Sequence, residues 1–170
     1  MQSIRIVIGS VMVLASGGIG LDANAGSVKE LTVQSELALR VGKVTPPSGI
    51  SLTMINTASS PVRLWRESNT WGVAHWRVIR IRAGQATLFY QVPTEGFTRN
   101  VPAFDELAGH VSVEIRLDLS GQAWRSTDRS ERDVRVGDFL VVVYDVPVTD
   151  EAQQLGVWHG AVIGTMSAPQ

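Results

Sequence analysis

Residues able to do chemistry are few in this chain and far apart. The three histidines, His75, His110 and His159, are widely separated, and none stands at the spacing that two ligands of one metal require. Cysteine is absent, which removes disulfides, thiolate metal sites, a cysteine nucleophile and a lipidated anchor together. Glycoside hydrolysis needs two carboxylates about 5–10 Å apart. The sequence offers Asp105 and Glu106 in an irregular stretch, and Glu67 beside Trp65. Adjacent acids in a loop are ordinarily solvated, and no serine stands out as a nucleophile with a base in reach. No phosphate-binding loop, dinucleotide fingerprint, HExxH or GxSxG motif occurs. The sequence therefore points to no catalytic residue, no metal and no cofactor.

Binding is better provided for. Five tryptophans in 170 residues is a high count, and an exposed indole offers a flat apolar face to a sugar ring. Trp65 falls on the parity opposite Val62 and Leu64, Trp71 sits in a turn, and Trp158 lies between Gly156 and Gly160. With Arg63 and Arg66 these are the candidate ligand-binding residues. A sugar platform requires at least two of Trp65, Trp71 and Trp158 to be coplanar and exposed. The plainer reading packs them into a core or against turns, as expected for Trp76. A second candidate is a basic stripe of Arg63, Arg66, Arg77, Arg80 and Arg82, suited to an acidic polymer or a partner's carboxylates. Its alternative pairs these arginines across strands with Glu67, Glu114 and Asp118.

The elements that must position these groups read as strands. Ile50, Leu52 and Met54 alternate with Ser51, Thr53 and Ile55, a period of two with one buried face. Asn56–Pro61 breaks that strand, and Ser68–Gly72 is a second turn with Gly72 expected at positive φ. His75–Arg82 departs from alternation. A bulge near Val78 and Ile79 would bring Trp76, Val78, Ile79 and Ile81 to one face and turn Arg77, Arg80 and Arg82 outward. Ala83-Gly84-Gln85 is a tight turn into the strand Ala86–Val92. Pro93–His110 shows no period and reads as a long loop. Val111–Leu119 alternates cleanly, with Val111, Val113, Ile115, Leu117 and Leu119 expected on the buried face. Ala123–Arg135 carries charges of both signs and reads as a solvated loop. Phe139–Val146 is nearly all apolar, as a strand covered on both sides should be. Pro147–Gly156 reads as a polar loop, and Val157–Met166 as the last strand.

Composition and the N-terminus set the outer bounds. The chain is 44% hydrophobic, enough for one domain with a real core, and its net charge of −1 recruits neither nucleic acid nor a membrane surface. Met1–Arg5 is weakly basic, Ile6–Leu14 is apolar, and Ala23-Asn24-Ala25 fits a cleavage site. Residues 1–25 are thus expected to be a signal peptide, with no stable membrane span after cleavage. Val13-Leu14-Ala15 is a second cleavage site to weigh, and an uncleaved anchor is the alternative. Export without cysteine suggests a periplasmic or extracellular protein of a bacterial envelope. The remaining chain divides into an N-terminal strand and Pro46-Pro47 connector at 26–48, a β domain at 49–166, and a tail at 167–170.

Three short pieces carry a resemblance. The first is the strand end Asn56-Thr57 with a polar turn and Pro61-Val62. The second is Leu107-Ala108-Gly109-His110-Val111-Ser112 leading into Leu117-Asp118-Leu119-Ser120. The third is the corner Val136-Gly137-Asp138-Phe139. Together they resemble immunoglobulin-like or fibronectin-III-like domains of secreted bacterial proteins. Ala108 stands where such domains usually have proline. Phe139 stands where tyrosine is frequent, which removes the hydroxyl that ties that corner to backbone. The resemblance implies an all-β, Ig-like antiparallel sandwich of about eight strands following the signal helix. Such sandwiches serve many functions. The expectation is a non-catalytic interaction or structural module that binds a protein partner through a sheet edge or the Pro93–His110 loop. A carbohydrate-binding module recognising a polysaccharide is the alternative, ahead of a secreted protease inhibitor or a hydrolase.

Overall fold

The computed structural model describes residues 36–67, 71–93, 101–128, 133–135 and 137–167. From these the chain builds β1 (Leu37–Thr45), β2 (Gly49–Asn56), β3 (Val62–Trp65), β4 (Trp76–Arg82) and β5 (Gln85–Gln91). There follow β6 (Phe104–Leu107), β7 (Ser112–Asp118), β8 (Trp124–Ser126), β9 (Phe139–Val146), α1 (Asp150–Leu155) and β10 (Gly160–Ser167). The expected signal peptide, the stretch 26–35 and the end of the tail lie outside the described residues.

The fold is all-β, and its strands pair antiparallel. One sheet runs β1-β2-β7, a second β10-β9-β4-β5-β8, and β3 with β6 forms a separate ribbon. In β2 the alternation works as anticipated, with Ile50, Leu52 and Met54 buried while Ser51, Thr53 and Ile55 face the other way. β9 pairs on both sides, with β10 and with β4, and buries residues of both parities, including Val141 and Val142. The β4–β5 hairpin closes over Ala83 and Gly84, at φ 49° and 76°. Two successive positive φ values make the mirror-image turn whose twist suits a hairpin. A single apolar core draws on all three sheets. It runs from Leu37, Leu52 and Met54 through Val62 and Trp65 to Trp76, Phe89, Leu140 and Val142. Each such side chain contributes about 1.5–3 kcal/mol by leaving water.

Several segments differ from what alternation predicts, each for a physical reason. Val41–Ser48 is not a free connector. β1 pairs along β2 as far as Thr45, with an irregularity between Val41 and Val44, and cis Pro46–Pro47 lies in the hairpin turn. The expected boundary after Ser48 thus falls inside a hairpin. β4 has no bulge. Its register with β5 and β9 is unbroken, so Trp76, Val78 and Arg80 share the buried face. Arg80, only 3% exposed, stays inside because Asp133 and Thr87 accept its hydrogen bonds and Phe89 lies under its guanidinium. Ala74, not Gly72, takes the positive φ of the second turn. Gly72 is needed for closeness, since a Cβ there would lie 2.0 Å from the Arg66 carbonyl oxygen.

The stretch read as a long loop contains β6, which pairs with β3; residues 94–100 lie outside the described residues. The stretch read as solvated contains β8, which buries Trp124, and the fully buried Val134. The stretch read as polar loop contains α1. Thr149 caps it by accepting from the Ala152 N–H, Asp150 and Glu151 stand in its first turn, and Gly156 ends it in the left-handed region.

Candidate interaction surface

β3 brings Trp65 next to β6, where it pairs with Phe104 and is 5% exposed. Its indole therefore belongs to the core and offers no face to a ligand. Trp71 is half-buried beside it, ring centres 6.4 Å apart and planes tilted by 34°. Trp158 is half-buried too and stacks on Tyr144, which in turn packs on Trp76 and His75. The condition for a sugar platform, two exposed and coplanar indoles among Trp65, Trp71 and Trp158, is not met. Trp76 is buried and donates its indole N–H to Glu67 at 2.7 Å, which gives that carboxylate a structural partner. Burial, and then the charge of Glu67, push the Tyr144 phenol above its ordinary value. The two ring nitrogens of His75 face the backbone carbonyls of Asp145 and Trp71.

The arginines form no stripe. Arg63 binds Glu106 at 2.9 Å, donates to the Leu155 carbonyl at the end of α1, and lies 4.6 Å over the Phe104 ring. Arg66 binds Asp105 at 2.8 Å, and Arg77 binds Asp145 at 2.7 Å. Asp105 and Glu106, the candidate hydrolytic pair, are thus cross-strand partners of arginines. Arg82 grips Asp138 with two bonds, at 2.7 and 2.9 Å, while Asp133 serves Arg80, Arg82 and Arg135. Pairing across strands does occur, but the acids are Asp105, Glu106, Asp133, Asp138 and Asp145 in place of Glu67, Glu114 and Asp118.

Three carboxylates, Asp118, Asp133 and Asp138, lie below the usual value. Burial pushes Asp138 up, but the bonds from Arg82 and the Arg135 N–H outweigh it and leave it below the usual carboxylate value. Asp118 is lowered by the hydroxyls of Ser48 and Ser120 and by the Ser120 N–H. Asp138 also braces the corner Gly137-Asp138-Phe139 by accepting from the Arg135 N–H. It ties side chain to backbone just before β9.

The first two pieces of the resemblance meet in space. Asn56 is fully buried at the end of β2, and its amide donates to the carbonyls of Ser60, Leu107 and Ala108. Its oxygen accepts from the Ala58 N–H, and His110 donates its N–H to the Ala58 carbonyl. A Cβ on Gly109 would lie 2.1 Å from the Ser59 carbonyl oxygen, so the β6–β7 turn passes this close only as glycine. This latch fixes where β7 begins.

β7 itself is the least covered strand. It pairs with β2 alone, and among the described residues no strand pairs with its other side. Leu117 and Leu119 are buried as predicted, but Val111 and Val113 are 45% and 40% exposed. Their parity is that of the core, yet the core ends before it reaches them. The opposite face carries Ser112, Glu114, Arg116 and Asp118, and among the described residues neither Glu114 nor Arg116 has an ion-pair partner. The outer face also holds an open groove of about 510 Å3, lined by Lys43, Thr45, Ser51, Arg116 and Asp118 beside the Pro46–Pro47 turn.

Comparison with protein-family models, curated proteins and solved structures finds no match to this chain.

Among the described residues no cluster of three metal-ligating side chains exists, and no helix is long and apolar enough to cross a membrane. Sequence reasoning missed β7 as an open edge because alternation reports which way a side chain points. It does not report what stands opposite.

Proposed function

We propose that this chain is an exported, non-catalytic binding module of the bacterial envelope, built as an Ig-like sandwich, that engages a protein partner through the free edge of β7. The observation that carries the reading is that edge. It is a seven-residue strand paired on one side, with Val113 exposed within it and Val111 exposed just before it. An unpaired edge presents backbone N–H and C=O groups to a partner strand, and apolar residues beside it add affinity. The latch between Asn56 and the β6–β7 turn, with the Asp138 corner, supports the Ig-like assignment. The N-terminal pattern at residues 1–25 supports export, to the periplasm or beyond the cell. The ion-paired arginines and withdrawn indoles leave the β7 edge better placed for binding than Trp65, Trp71, Trp158, Arg63 or Arg66.

The test places a photoreactive amino acid at Val113 in the producing cell, with Val148 as an exposed control. A discrete protein adduct at position 113, missing at 148, is expected. Absence of an adduct at 113, joined to a saturable tryptophan-fluorescence response to one soluble polysaccharide, would overturn the proposal in favour of a carbohydrate-binding module.

A further inference from the structure

We propose that the occupant of the β7 edge is a second copy of this chain, paired antiparallel about Ile115. The inference rests on the binding reading above and names its partner.

Hydrogen-bond parity comes first. Val111 accepts from the Asn56 N–H, and Leu119 donates to the Ser48 carbonyl, so both turn their backbone groups toward β2. Backbone direction alternates along a strand, which gives Val113, Ile115 and Leu117 to β2 as well. Ser112, Glu114 and Arg116 therefore direct their N–H and C=O groups to the free side. A two-fold axis through Ile115 sets Glu114 of one copy opposite Arg116 of the other, twice. Both residues of that pair have outward backbone groups, so they exchange N–H···O bonds as a hydrogen-bonded antiparallel pair.

The side chains agree with this register. Glu114 and Arg116 share the outer face and are both exposed. Directly opposite residues in such a pair bring their Cβ atoms to about 4.5–5.5 Å, which places carboxylate against guanidinium. On the other face Ile115 meets its own copy in the close, non-hydrogen-bonded pair, and exposed Val113 comes to lie opposite Leu117. Shifting the axis to Glu114 or Arg116 sets like charges face to face, which is unfavourable. Shifting it to Leu117 runs the pairing into the turn that follows Asp118, whose carbonyl already accepts from Gly121. The register about Ile115 satisfies backbone, charge and apolar face together, and it is the one that sets Glu114 opposite Arg116. The same charges obstruct a foreign strand of different pattern, so they act both for and against pairing according to the partner.

The pairing is isologous, and this makes it testable by charge exchange. Sedimentation of the full chain from about 1 μM to about 1 mM should show the mass moving from one chain to two. Glu114→Arg and Arg116→Glu each place like charges at both ends of the interface and should weaken association about tenfold or more. An equimolar mixture of the two variants restores both opposite-charge pairs, so it should dimerise like the unaltered chain. Near-ultraviolet circular dichroism checks that both variants keep their fold. Association through any other part of the chain would not follow this pattern. A chain that stays single throughout, or a dimer indifferent to both substitutions, would overturn the proposal. If the chain stays single while position 113 still forms an adduct with a different protein, this inference fails and the binding-module reading stands. If neither association nor adduct is seen, both fail.

Discussion

Asn56 shows how much one side chain can organise. It lies at the parity of Met54 and is fully buried, yet it is polar, and every polar atom of its amide has a backbone partner. A buried amide that loses such partners costs about 1–3 kcal/mol for each group left unsatisfied. Asn56→Ala should therefore lower unfolding stability by about 3 kcal/mol in a urea titration. Asn56→Asp should lower it further at neutral pH, because a carboxylate would face the carbonyl oxygens of Ser60, Leu107 and Ala108. If the two variants are equally stable, the amide does not act as the latch. The sequence marks Asn56 as a strand end and turn residue, which is correct as far as it goes. Its burial depends on the β6–β7 turn some fifty residues later (separations of 51 and 52), and no local pattern shows that. Arg80 teaches the converse. Charge argues for the surface, and partners such as Asp133, 53 residues away, keep it inside.

At the level of elements, period-two alternation made β2 and β7 legible, because each has a face that the core selects, and an almost unbroken apolar run marked β9, which is paired on both sides. β6 and β8 were hidden for a different reason. Phe104–Leu107 and Trp124–Ser126 are four and three residues long, too short to establish a period, and their charged residues read as solvated. α1 did carry signals, with Thr149 as cap, Asp150 and Glu151 in its first turn and Gly156 as stop. At six residues it lacks an apolar stripe, so those signals had nothing to delimit. The β4–β5 hairpin was legible as a turn, and its geometry now makes a stabilising change available. Ala83 holds φ 49° without the local hydrogen bonding that makes asparagine tolerant of that region. Ala83→Asn converts Ala83-Gly84 into the preferred pair for this turn and should raise stability by about 0.5–1 kcal/mol. Thermal or urea unfolding checks it, and a loss of stability would mean that the hairpin does not adopt the mirror-image turn.

For the whole molecule, stability without disulfides rests on packing plus a few buried charges, and the charges set its response to acid. Asp118, Asp133 and Asp138 are all held below the ordinary carboxylate value. Asp138 is the most deeply placed of them, 2% exposed and held by two bonds from Arg82 and one from the Arg135 N–H. A carboxyl lowered on folding stabilises the native state fully above its unfolded value of about 3.9. That contribution is lost as pH falls through the lower folded value, because the unfolded chain binds its proton first. Stability should hence be flat from about pH 7 to about pH 5 as far as these groups decide it, and should fall below about pH 4. Asp138→Asn removes the charge while leaving Arg82 in place, and breaking a largely buried pair of this kind costs about 3 kcal/mol. At neutral pH the variant should be less stable by about that amount. Its acid limb should also be shallower, so that the two stability curves approach each other as pH falls and Asp138 of the unaltered chain takes up its proton. Urea unfolding at a series of pH values measures both curves. A constant gap at every pH would show that Asp138 acts through shape alone, and the corner before β9 would then owe nothing to its charge.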